Sequence, residues 1–372
     1  MKKINVVIAD DSPFVCSMLS AYLKQDGDIN IADITYNGLD TIDKIKKIRP
    51  DVATVDLEMP GVNGLEVIES VMYECPTPIV VVSGISRNAS EITLKALELG
   101  AVDFILKYTP GVEIRPEHLK ADIISKVKAA SRIRVIRSIR TNKLSALEDA
   151  TSLYPFFSSR KKIQHRSSTE IKPVINPEGV LVIGASTGGP VAIKELLNNL
   201  DENFPMAIVI VQHMNASFTR VFASQLDKSL KFRVKEAEDG DSLLRSRILV
   251  APGDFHLIIG SDLRVKLTKG PKVKGHRPSI DVTMQSVAQI YGSKTTGVIL
   301  TGMGDDGTMG LLAIKSKWGN TFVQSPEDCV IDGMPKSAIA KGVVDHVATA
   351  SVISALLGKQ LMSGRNVSAH TA

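Results

Sequence analysis

The sequence predicts an α/β protein with two doubly wound parallel-sheet domains joined by a linker. Apolar runs of strand length alternate with helical patterns in both halves of the chain, which is typical of a parallel sheet covered by helices on both faces. The 372 residues exceed what one ordinary core organises. Because the apolar periodicity fades between the halves, we predict domains at residues 1–137 and 177–362 and a linker at 138–176.

The composition, with 44% hydrophobic and 23% charged residues, is typical of a soluble globular protein. The formal net charge of +5 is mild and does not by itself argue for nucleic-acid binding. The cysteines Cys16, Cys75 and Cys329 are far apart and form no C-x-x-C motif, which favours reduced thiols. The first apolar run stops at Asp10, too early for an export signal, and no run could span a bilayer. We therefore predict a cytoplasmic protein without membrane insertion.

Five apolar runs of the first domain predict strands, and the patterns between them predict helices. The predicted strands are residues 4–9, 29–34, 52–55, 78–82 and 102–106. The predicted helices are residues 14–24, 39–48, 64–73, 90–99 and a last one after Pro116. Since the carboxyl ends of parallel strands meet at one edge of the sheet, we expect the residues that follow these strands to lie close together.

Polar side chains follow four of these strands. They are Asp10 and Asp11 after the first, Asp56 after the third, Ser83 after the fourth and Lys107 after the fifth. Three crowded carboxylates repel one another and need a cation, and an all-oxygen site favours Mg²⁺. The lysine and the hydroxyl would complete a pocket for a phosphoryl group. The alternative is that the aspartates are solvated acids at strand ends, beside a serine that caps the next helix.

This set of residues resembles that of response-regulator receiver domains, through DDS at 10–12 and TVDLEMP at 54–60. The resemblance covers the first domain and implies a flavodoxin-like fold, phosphorylation of Asp56 and an aromatic switch residue at Phe104. The implied magnesium ligands are Asp10, Asp11, Asp56 and the backbone carbonyl of Glu58. The implied phosphoryl contacts are Ser83 and Lys107. Tyr108 departs from the family, which usually has proline there, so the local peptide geometry is in doubt.

Basic residues outnumber acidic ones in the linker at 138–176, and two interpretations stay open. The first is a solvated interdomain segment with partial helix. The second is a nucleic-acid patch, but the only aromatic residues are Tyr154, Phe156 and Phe157 and no recognition helix is evident. We therefore predict a solvated basic linker and no direct nucleic-acid partner.

Three strand-like runs of the second domain end in residues that can carry chemistry. The run that begins at Gly179 leads to Ser186 in a G-x-S-x-G pattern, residues 207–212 lead to His213, and residues 296–300 lead into TGMGDDG at 301–307. If these strands are parallel, serine, histidine and aspartate reach the same edge. That arrangement can form a nucleophile, a general base and a carboxylate that orients the base.

Each of these residues also has a purely structural interpretation. Ser186 could cap the helix that begins near Pro190, and Asp305 or Asp306 could cap a helix predicted at 308–315. A single histidine at a strand end is often a hydrogen-bonded structural residue. The glycines fit neither a P-loop nor a G-x-G-x-x-G dinucleotide site, which disfavours both kinds of site.

Two further histidines compete for the role of base. They are His256, which precedes a predicted hairpin with strands at 257–259 and 263–267, and His276. The order of the main candidates along the chain is serine, histidine, aspartate. Hydrolases with a nucleophile elbow on the α/β-hydrolase fold have the order serine, acid, histidine, so the sequence disfavours that fold.

The order and the motifs instead resemble the catalytic domain of the chemotaxis protein-glutamate methylesterase (CheB) family. The motifs are GASTGGP at 184–190, VQHM at 211–214, APG at 251–253, RPSID at 277–281, LTGMGDDG at 300–307 and GMPK at 333–336. With the receiver in front, the resemblance spans nearly the whole chain. It implies a Rossmann-like catalytic domain with a triad of Ser186, His213 and Asp306. It also implies that the Met303 backbone N–H contacts the oxyanion and that Thr187 lies in the site.

The resemblance implies a phosphorylation-regulated esterase that hydrolyses glutamate γ-methyl esters on chemoreceptors and can deamidate receptor glutamines. The implied partners are methylated chemoreceptors as substrate and the chemotaxis histidine kinase as phosphodonor. Mg²⁺ is expected at the receiver site and no cofactor in the catalytic domain. From the residues alone, two alternatives stay open. One is a second domain that binds DNA or a partner protein, and the other is a hydrolase of small-molecule esters.

Overall fold

The structure is a computed structural model of the chain and describes residues 3–84, 86–107, 116–133 and 176–368. All but the last residue of the predicted linker, including its three aromatic residues, lies outside these ranges, and so does Tyr108. Within them the chain forms two parallel sheets flanked by helices, which confirms the predicted fold class. The division at 1–137, 138–176 and 177–362 stays a prediction.

The first sheet is built from alternating strands and helices. Its strands are β1 (Ile4–Ala9), β2 (Ile29–Thr35), β3 (Val52–Asp56), β4 (Ile79–Ser83) and β5 (Asp103–Leu106). The helices are α1 (Pro13–Leu23), α2 (Gly38–Ile48), α3 (Gly64–Glu74), α4 (Arg87–Glu98) and α5 (Pro116–Ala130). In the described residues all strand pairs of this sheet are parallel, in the order β2-β1-β3-β4-β5. The apolar runs become strands because both faces are covered, and β3 and β4 are buried along their whole length.

The second sheet follows the same alternation. Its strands, with those of a separate hairpin, are β6 (Val180–Ala185), β7 (Ala207–Gln212), β8 (Arg233–Glu236), β9 (Arg247–Val250), β10 (His256–Ile259), β11 (Val265–Thr268), β12 (Thr295–Ile299), β13 (Asn320–Gln324) and β14 (His346–Ala348). The helices are α6 (Gly189–Asn198), α7 (Ala216–Ser229), α8 (Ile280–Tyr291), α9 (Thr308–Ser316), α10 (Gly333–Ala340) and α11 (Ala350–Ser368). In the described part of the chain the sheet order is β14-β13-β12-β6-β7-β9-β8, with β10 and β11 paired antiparallel beside it.

The strand β6 lies at the point where the order of the second sheet reverses. The chain passes from β6 to β7 on one side, while β12 pairs with β6 on the other. Crevices at such points, outside the carboxyl ends of the strands, are where open α/β sheets hold their ligands. The register pairs Ala185 with Gln212, and Ile299 with Gly184, so the residues after all three strands share this crevice.

Burial explains why these strands read as unbroken apolar runs. Every residue of β6 and β7 is buried, with helices packed on each side of the sheet. Burying one valine, leucine or isoleucine side chain contributes about 1.5–3 kcal/mol relative to leaving it exposed. The strands therefore stabilise the second domain and also fix the position of the polar residues at their ends.

Candidate functional site

The carboxylates of the first sheet converge at its carboxyl edge. Oxygen atoms of Asp10, Asp11 and Asp56 all lie within 4.8 Å of one another. The Nζ atom of Lys107 lies 3.1 Å from Asp10 Oδ2 and 2.8 Å from Asp56 Oδ2. On the next strand, Ser83 accepts a hydrogen bond of 2.5 Å from Thr93. The structure thus brings together the residues that the sequence places after β1, β3, β4 and β5.

This cluster carries more negative charge than its single lysine balances. Burial and the neighbouring Asp56 raise the pKa of Asp10 above its ordinary value. Burial would lower the pKa of Lys107, but its hydrogen bond to Asp56 and the charges of both carboxylates raise it. Apart from these ion pairs, Asp10 Oδ2 and Asp56 Oδ2 are buried and have no hydrogen-bond partner in the described residues. Oxygen atoms with such lone pairs fit a divalent cation.

Glu58 contributes differently from the three aspartates. Its backbone N–H donates to Asp56 Oδ1 at 3.2 Å, and the residue is exposed. The backbone of Glu58 therefore lies against the carboxylate of Asp56, and the role of its carbonyl as a magnesium ligand stays a prediction.

In the second sheet the turn after β6 holds Ser186 by its backbone. The Ser186 N–H donates to the carbonyl of Thr301 at 3.0 Å, and its carbonyl accepts from Gly189 N and from Gln212 Nε2, both at 2.8 Å. The helix α6 begins after Gly188, which has φ of 77° and is its N-cap, with no side-chain capping bond. The interpretation of Ser186 as the cap of this helix is therefore wrong, since Gly188 holds the N-cap position.

His213 lies beside Ser186 because of the strand register. Ala185 pairs with Gln212, and the His213 N–H donates to the carbonyl of Ala185 at 3.1 Å. Ser186 and His213 thus follow paired positions on adjacent strands, which are about 5 Å apart. The His213 side chain is only 6% exposed, and its Nδ1 is buried without a hydrogen-bond partner in the described residues.

The other ring nitrogen of His213 faces Asp306. His213 Nε2 lies 2.9 Å from Asp306 Oδ2. Burial would raise the pKa of Asp306, but the hydrogen bonds from His213 and from the backbone of α8 lower it well below its ordinary value. An ionised carboxylate can only accept, so Nε2 carries the proton and donates it to Asp306. Nδ1 is then the basic nitrogen.

Asp306 is oriented by the amino end of α8. Its Oδ1 accepts from the Ser279 hydroxyl at 2.9 Å and from Asp281 N at 3.1 Å, and its Oδ2 accepts from Ile280 N at 2.8 Å. The unpaired N–H groups and the dipole at a helix N-terminus favour an anion there. The neighbouring Asp305 has a side chain 57% exposed, which pairs with Lys274 instead. The structure thus gives the two aspartates different partners, and Asp306, which the family resemblance implies as the triad acid, is the one that meets His213.

Several contributors were not predicted from residue patterns. Ser279 and Ile280 lie in the RPSID motif, but the motif does not reveal that they hold Asp306. The Asp281 side chain accepts from Gly307 N and Gly310 N at 2.8 and 2.7 Å, and so shapes the loop that carries Asp306. The signal that could have found them is Ser279 as the N-cap of α8.

The two competing histidines have different surroundings. His256 is buried and uses both ring nitrogens in loop contacts, Nε2 with the Pro271 carbonyl at 2.9 Å and Nδ1 with Ser279 N at 3.2 Å. His276 instead stacks on His213, with ring centroids 3.7 Å apart and an angle of 6° between the planes. His256 is therefore a structural histidine, and His276 adjoins the candidate base.

The remaining site residues lie around Ser186. A Cβ atom built on Gly302 would lie 2.8 Å from Ser186 Cβ, so only glycine fits there and the 302–303 backbone passes next to the serine. Met303 is 41% exposed. Thr187 is buried and its hydroxyl donates to Asp103 Oδ2 of the first domain.

The first domain contacts the second through β5 and α4. The ring of Phe104 stacks on that of Phe218 in α7, with centroids 4.4 Å apart. The Nζ atom of Lys126 lies over the same Phe104 ring and bonds to the Phe104 carbonyl at 2.7 Å. The strand that precedes Lys107 therefore also meets the turn that carries Ser186.

Comparisons with known proteins show the family of the chain. The family model described as CheB methylesterase matches residues 181–357, and the one described as response regulator receiver domain matches residues 6–117. The protein-glutamate methylesterase/protein-glutamine glutaminase of Pyrococcus abyssi is 37% identical over 350 residues, which cover 93% of this chain and 90% of that protein. This chain belongs to the CheB methylesterase family.

A second relative and a solved structure are also similar to this chain. The protein of the same description from Yersinia pestis is 37% identical over 368 residues, which cover 98% of this chain and 99% of that protein. The crystal structure of the Thermotoga maritima CheB methylesterase catalytic domain is 42% identical, covers 50% of this chain and 100% of its own, and has a TM-score of 0.48.

These matches confirm the predicted family, the enzyme class and the place of the chain among the response regulators of chemotaxis. The chain is a hydrolase that acts on carboxylic esters, with a receiver domain in front of the catalytic part. Among the residues the structure describes, no helix combines the length and the hydropathy that a membrane crossing needs. The assignment of individual site residues stays a prediction that rests on the geometry above.

Proposed function

We propose that the chain hydrolyses γ-methyl esters of glutamate residues on chemoreceptors, using Ser186, His213 and Asp306, under the control of phosphorylation at Asp56. The observation that carries the proposal is the hydrogen bond from His213 Nε2 to an Asp306 that α8 holds in place. It leaves Nδ1 of His213 basic, buried and next to the turn of Ser186. The names of the relatives support this substrate class.

In the proposed reaction Ser186 Oγ attacks the γ-carbonyl carbon while His213 Nδ1 takes the hydroxyl proton. The imidazolium that forms is stabilised by Asp306, which stays ionised throughout because its pKa is lowered. The same proton then passes to the methoxy oxygen, so methanol leaves and an acyl-enzyme remains. Water activated by His213 hydrolyses the acyl-enzyme and restores glutamate and the serine. A glutamine side chain would follow the same path and release ammonia.

The charge that develops on the carbonyl oxygen needs donors in place before the reaction. The backbone N–H of Met303 is the proposed donor, since Gly302 passes within contact of Ser186. Removing one such donor in other hydrolases costs about 10²–10³ in kcat. Thr187 follows Ser186 directly. Its hydroxyl donates a hydrogen bond to Asp103 of the receiver domain in this structure.

The receiver site fits Mg²⁺, with Asp10, Asp11, Asp56 and the Glu58 carbonyl as ligands. When bound, the cation would neutralise the carboxylates and the charge of the incoming phosphoryl group. Asp56 is the proposed phosphoacceptor, and the chemotaxis histidine kinase is the proposed donor. Lys107 already reaches the Asp56 carboxylate, and Ser83 presents a hydroxyl beside it, so both would contact phosphoryl oxygens.

Phosphorylation would release the catalytic site by changing the contacts of β5. The unphosphorylated receiver holds Thr187 through Asp103 and packs Phe104 on Phe218, which supports a receiver that covers the cleft. A phosphoryl group on Asp56 would draw Lys107 into new contacts and shift the equilibrium toward an open arrangement. The free cysteines are in keeping with the proposed cytoplasmic location.

The experiment is methanol release from methylated chemoreceptor membranes by the full chain, with and without a small phosphodonor and Mg²⁺. We expect hydrolysis that rises with the phosphodonor, and stimulation that disappears in Asp56→Ala. Equal rates in both conditions would contradict the regulatory part. Methanol release that is undiminished in Ser186→Ala would contradict the catalytic part.

A further inference from the structure

The ring of His276 covers one face of the His213 imidazole. The two rings are nearly parallel, 6° apart, and their centroids are 3.7 Å apart. This separation is that of rings in direct van der Waals contact. The hydrogen bond between His213 Nε2 and Asp306 fixes one atom of the imidazole but leaves the ring free to tilt about that bond. A flat neighbour on one face removes that freedom.

The loop that carries His276, residues 271–279, is held at both of its ends. His256 bonds to the carbonyl of Pro271 through Nε2 and accepts from Ser279 N through Nδ1. Arg277 Nη1 donates to the carbonyl of Gly270 at 2.9 Å. A buried histidine and an arginine therefore hold this loop in place, whereas loops on a protein surface are commonly mobile.

The middle of the same loop is tied to the acid of the triad. Lys274 Nζ lies 3.0 Å from both Asp281 Oδ2 and Asp305 Oδ2, and donates to the Asp305 carbonyl at 3.0 Å. Asp305 adjoins Asp306, and Asp281 accepts from the loop after Asp306. The position of His276 is thereby linked to the same backbone that orients Asp306.

We propose that His276 is a positioning residue, whose ring packs flat on His213 and keeps Nδ1 directed at Ser186 while Nε2 stays bonded to Asp306. The inference rests on the proposed function of His213 as the general base. It assigns no proton transfer to His276, because its ring lies face to face with His213 and directs no ring nitrogen at it.

The stack also requires an uncharged ring at position 276. The groups around it are His213 and Asp306 from the triad, with Lys272 and Asp305 from the flanking loops. Burial, together with the charge of His213, lowers the pKa of His276 to about 4. His276 is therefore mostly neutral near pH 7, including when His213 becomes an imidazolium during the reaction. A positive charge at this position would oppose that imidazolium.

The test compares three variants of the full chain, His276→Phe, His276→Ala and His276→Lys, on methylated receptor membranes. With the ring kept in His276→Phe, we expect kcat within about threefold of the parent. In His276→Ala we expect kcat to fall about tenfold or more at an unchanged KM, because the base is misoriented in the transition state. His276→Lys should fall further across the whole range below about pH 10, because its ammonium stays charged there and opposes the imidazolium.

Labelling of Ser186 by a fluorophosphonate provides a second measurement that does not depend on receptor binding. We expect the labelling rates to follow the same order, with His276→Phe rescuing the loss seen in His276→Ala. Melting curves identify any variant that fails to fold, and a folded His276→Leu then replaces His276→Ala as the variant without a flat ring. Parent rates in a folded His276→Ala, or an equal loss in folded His276→Phe and His276→Ala, would overturn the inference.

His213→Ala separates the inference from the proposed function. Loss of both activities in His213→Ala together with parent rates in His276→Ala would overturn only the role of His276. Parent activity in His213→Ala would overturn the proposed base, and the inference with it.

Discussion

At the catalytic centre Asp306 accepts hydrogen bonds from a histidine, a serine hydroxyl and backbone N–H groups at a helix N-terminus. At the receiver centre Asp10 and Asp56 each accept one backbone N–H and share a single lysine. The pKa of Asp306 is lowered and that of Asp10 is raised. Both carboxylates are almost fully buried, so the difference lies in their partners and not in their exposure.

The difference corresponds to two kinds of task. A carboxylate that orients a base must keep its charge and its position during the whole reaction, so donors in place beforehand serve it best. A carboxylate that receives a cation and a phosphoryl group must keep lone pairs available, so it should have few hydrogen-bond donors from the protein. The four predictions below test this comparison, from the largest expected effect to the smallest.

Ser186→Ala separates the two centres most completely. Without the nucleophile, methanol release should fall at least about 10⁴-fold, since removal of a serine nucleophile in comparable triads costs that much or more. Phosphorylation by a small phosphodonor should proceed as in the parent, because the receiver oxygens are untouched. Simultaneous loss of phosphorylation would show that the two centres are not chemically independent.

Asp306→Asn tests whether Asp306, whose carboxylate accepts several hydrogen bonds, is the important member of the pair Asp305 and Asp306. An amide cannot accept as a carboxylate does, so His213 loses the partner that fixes its tautomer, and kcat should fall about 10³- to 10⁴-fold. The matched control is Asp305→Asn, whose side chain is exposed and pairs with Lys274. Initial rates for both variants decide the matter, and a larger loss in the Asp305 variant would reverse the assignment.

Asp103→Ala tests the contact between the centres. Removing its hydrogen bond from Thr187 takes away about 1.5–3 kcal/mol from the covered arrangement. We expect the unstimulated rate of methanol release to rise about tenfold and the stimulation by phosphodonor to shrink in proportion. The control is Glu98→Ala, which removes an exposed ion pair with Lys194 at the same interface and should change the rate less than twofold. An unstimulated rate in Asp103→Ala no higher than that of the parent would contradict the coupling.

Asp10→Asn tests the receiver centre, whose carboxylates have few hydrogen-bond donors, through the thermal stability of the chain. An acid whose folded-state pKa is raised contributes stability at low pH that is lost as the pH rises through that pKa, so ionised Asp10 destabilises the fold at neutral pH. The amide should raise the melting midpoint by about 2–4 °C without Mg²⁺ and abolish the further rise that Mg²⁺ gives the parent. Asp11→Asn, at an exposed position, is the control and should shift the midpoint less. A lower midpoint in Asp10→Asn would contradict the comparison.

Much of the fold and half of the site follow from local patterns. Buried parallel strands read as apolar runs whatever their neighbours are, so their ends, and hence Asp56, Ser186 and His213, could be placed from the sequence. The hairpin was also predicted, but its first strand already begins at His256 and its second lies at Val265–Thr268 instead of 263–267.

The remainder depends on contacts between distant residues. Asp305 and Asp306 are adjacent in sequence, and without the family resemblance only their contacts, Asp306 with His213 and the N-terminus of α8, distinguish them. The stack of His276 on His213 results from how His256 closes a loop, and no periodicity reports it. The bond between Thr187 and Asp103 joins two domains, and neither strand pattern nor composition contains that information.

The strand β5, together with Lys107 directly after it, contacts both centres. Asp103 and Phe104 touch the catalytic part, and Lys107 touches Asp56. Because an equilibrium coupling acts equally in both directions, a ligand in the catalytic cleft that displaces Asp103 also changes how tightly the receiver binds a phosphoryl analogue. The occupied cleft should therefore strengthen analogue binding by the same factor by which the analogue strengthens binding in the cleft. Whatever occupies the cleft would then also favour the phosphorylated receiver that uncovers it.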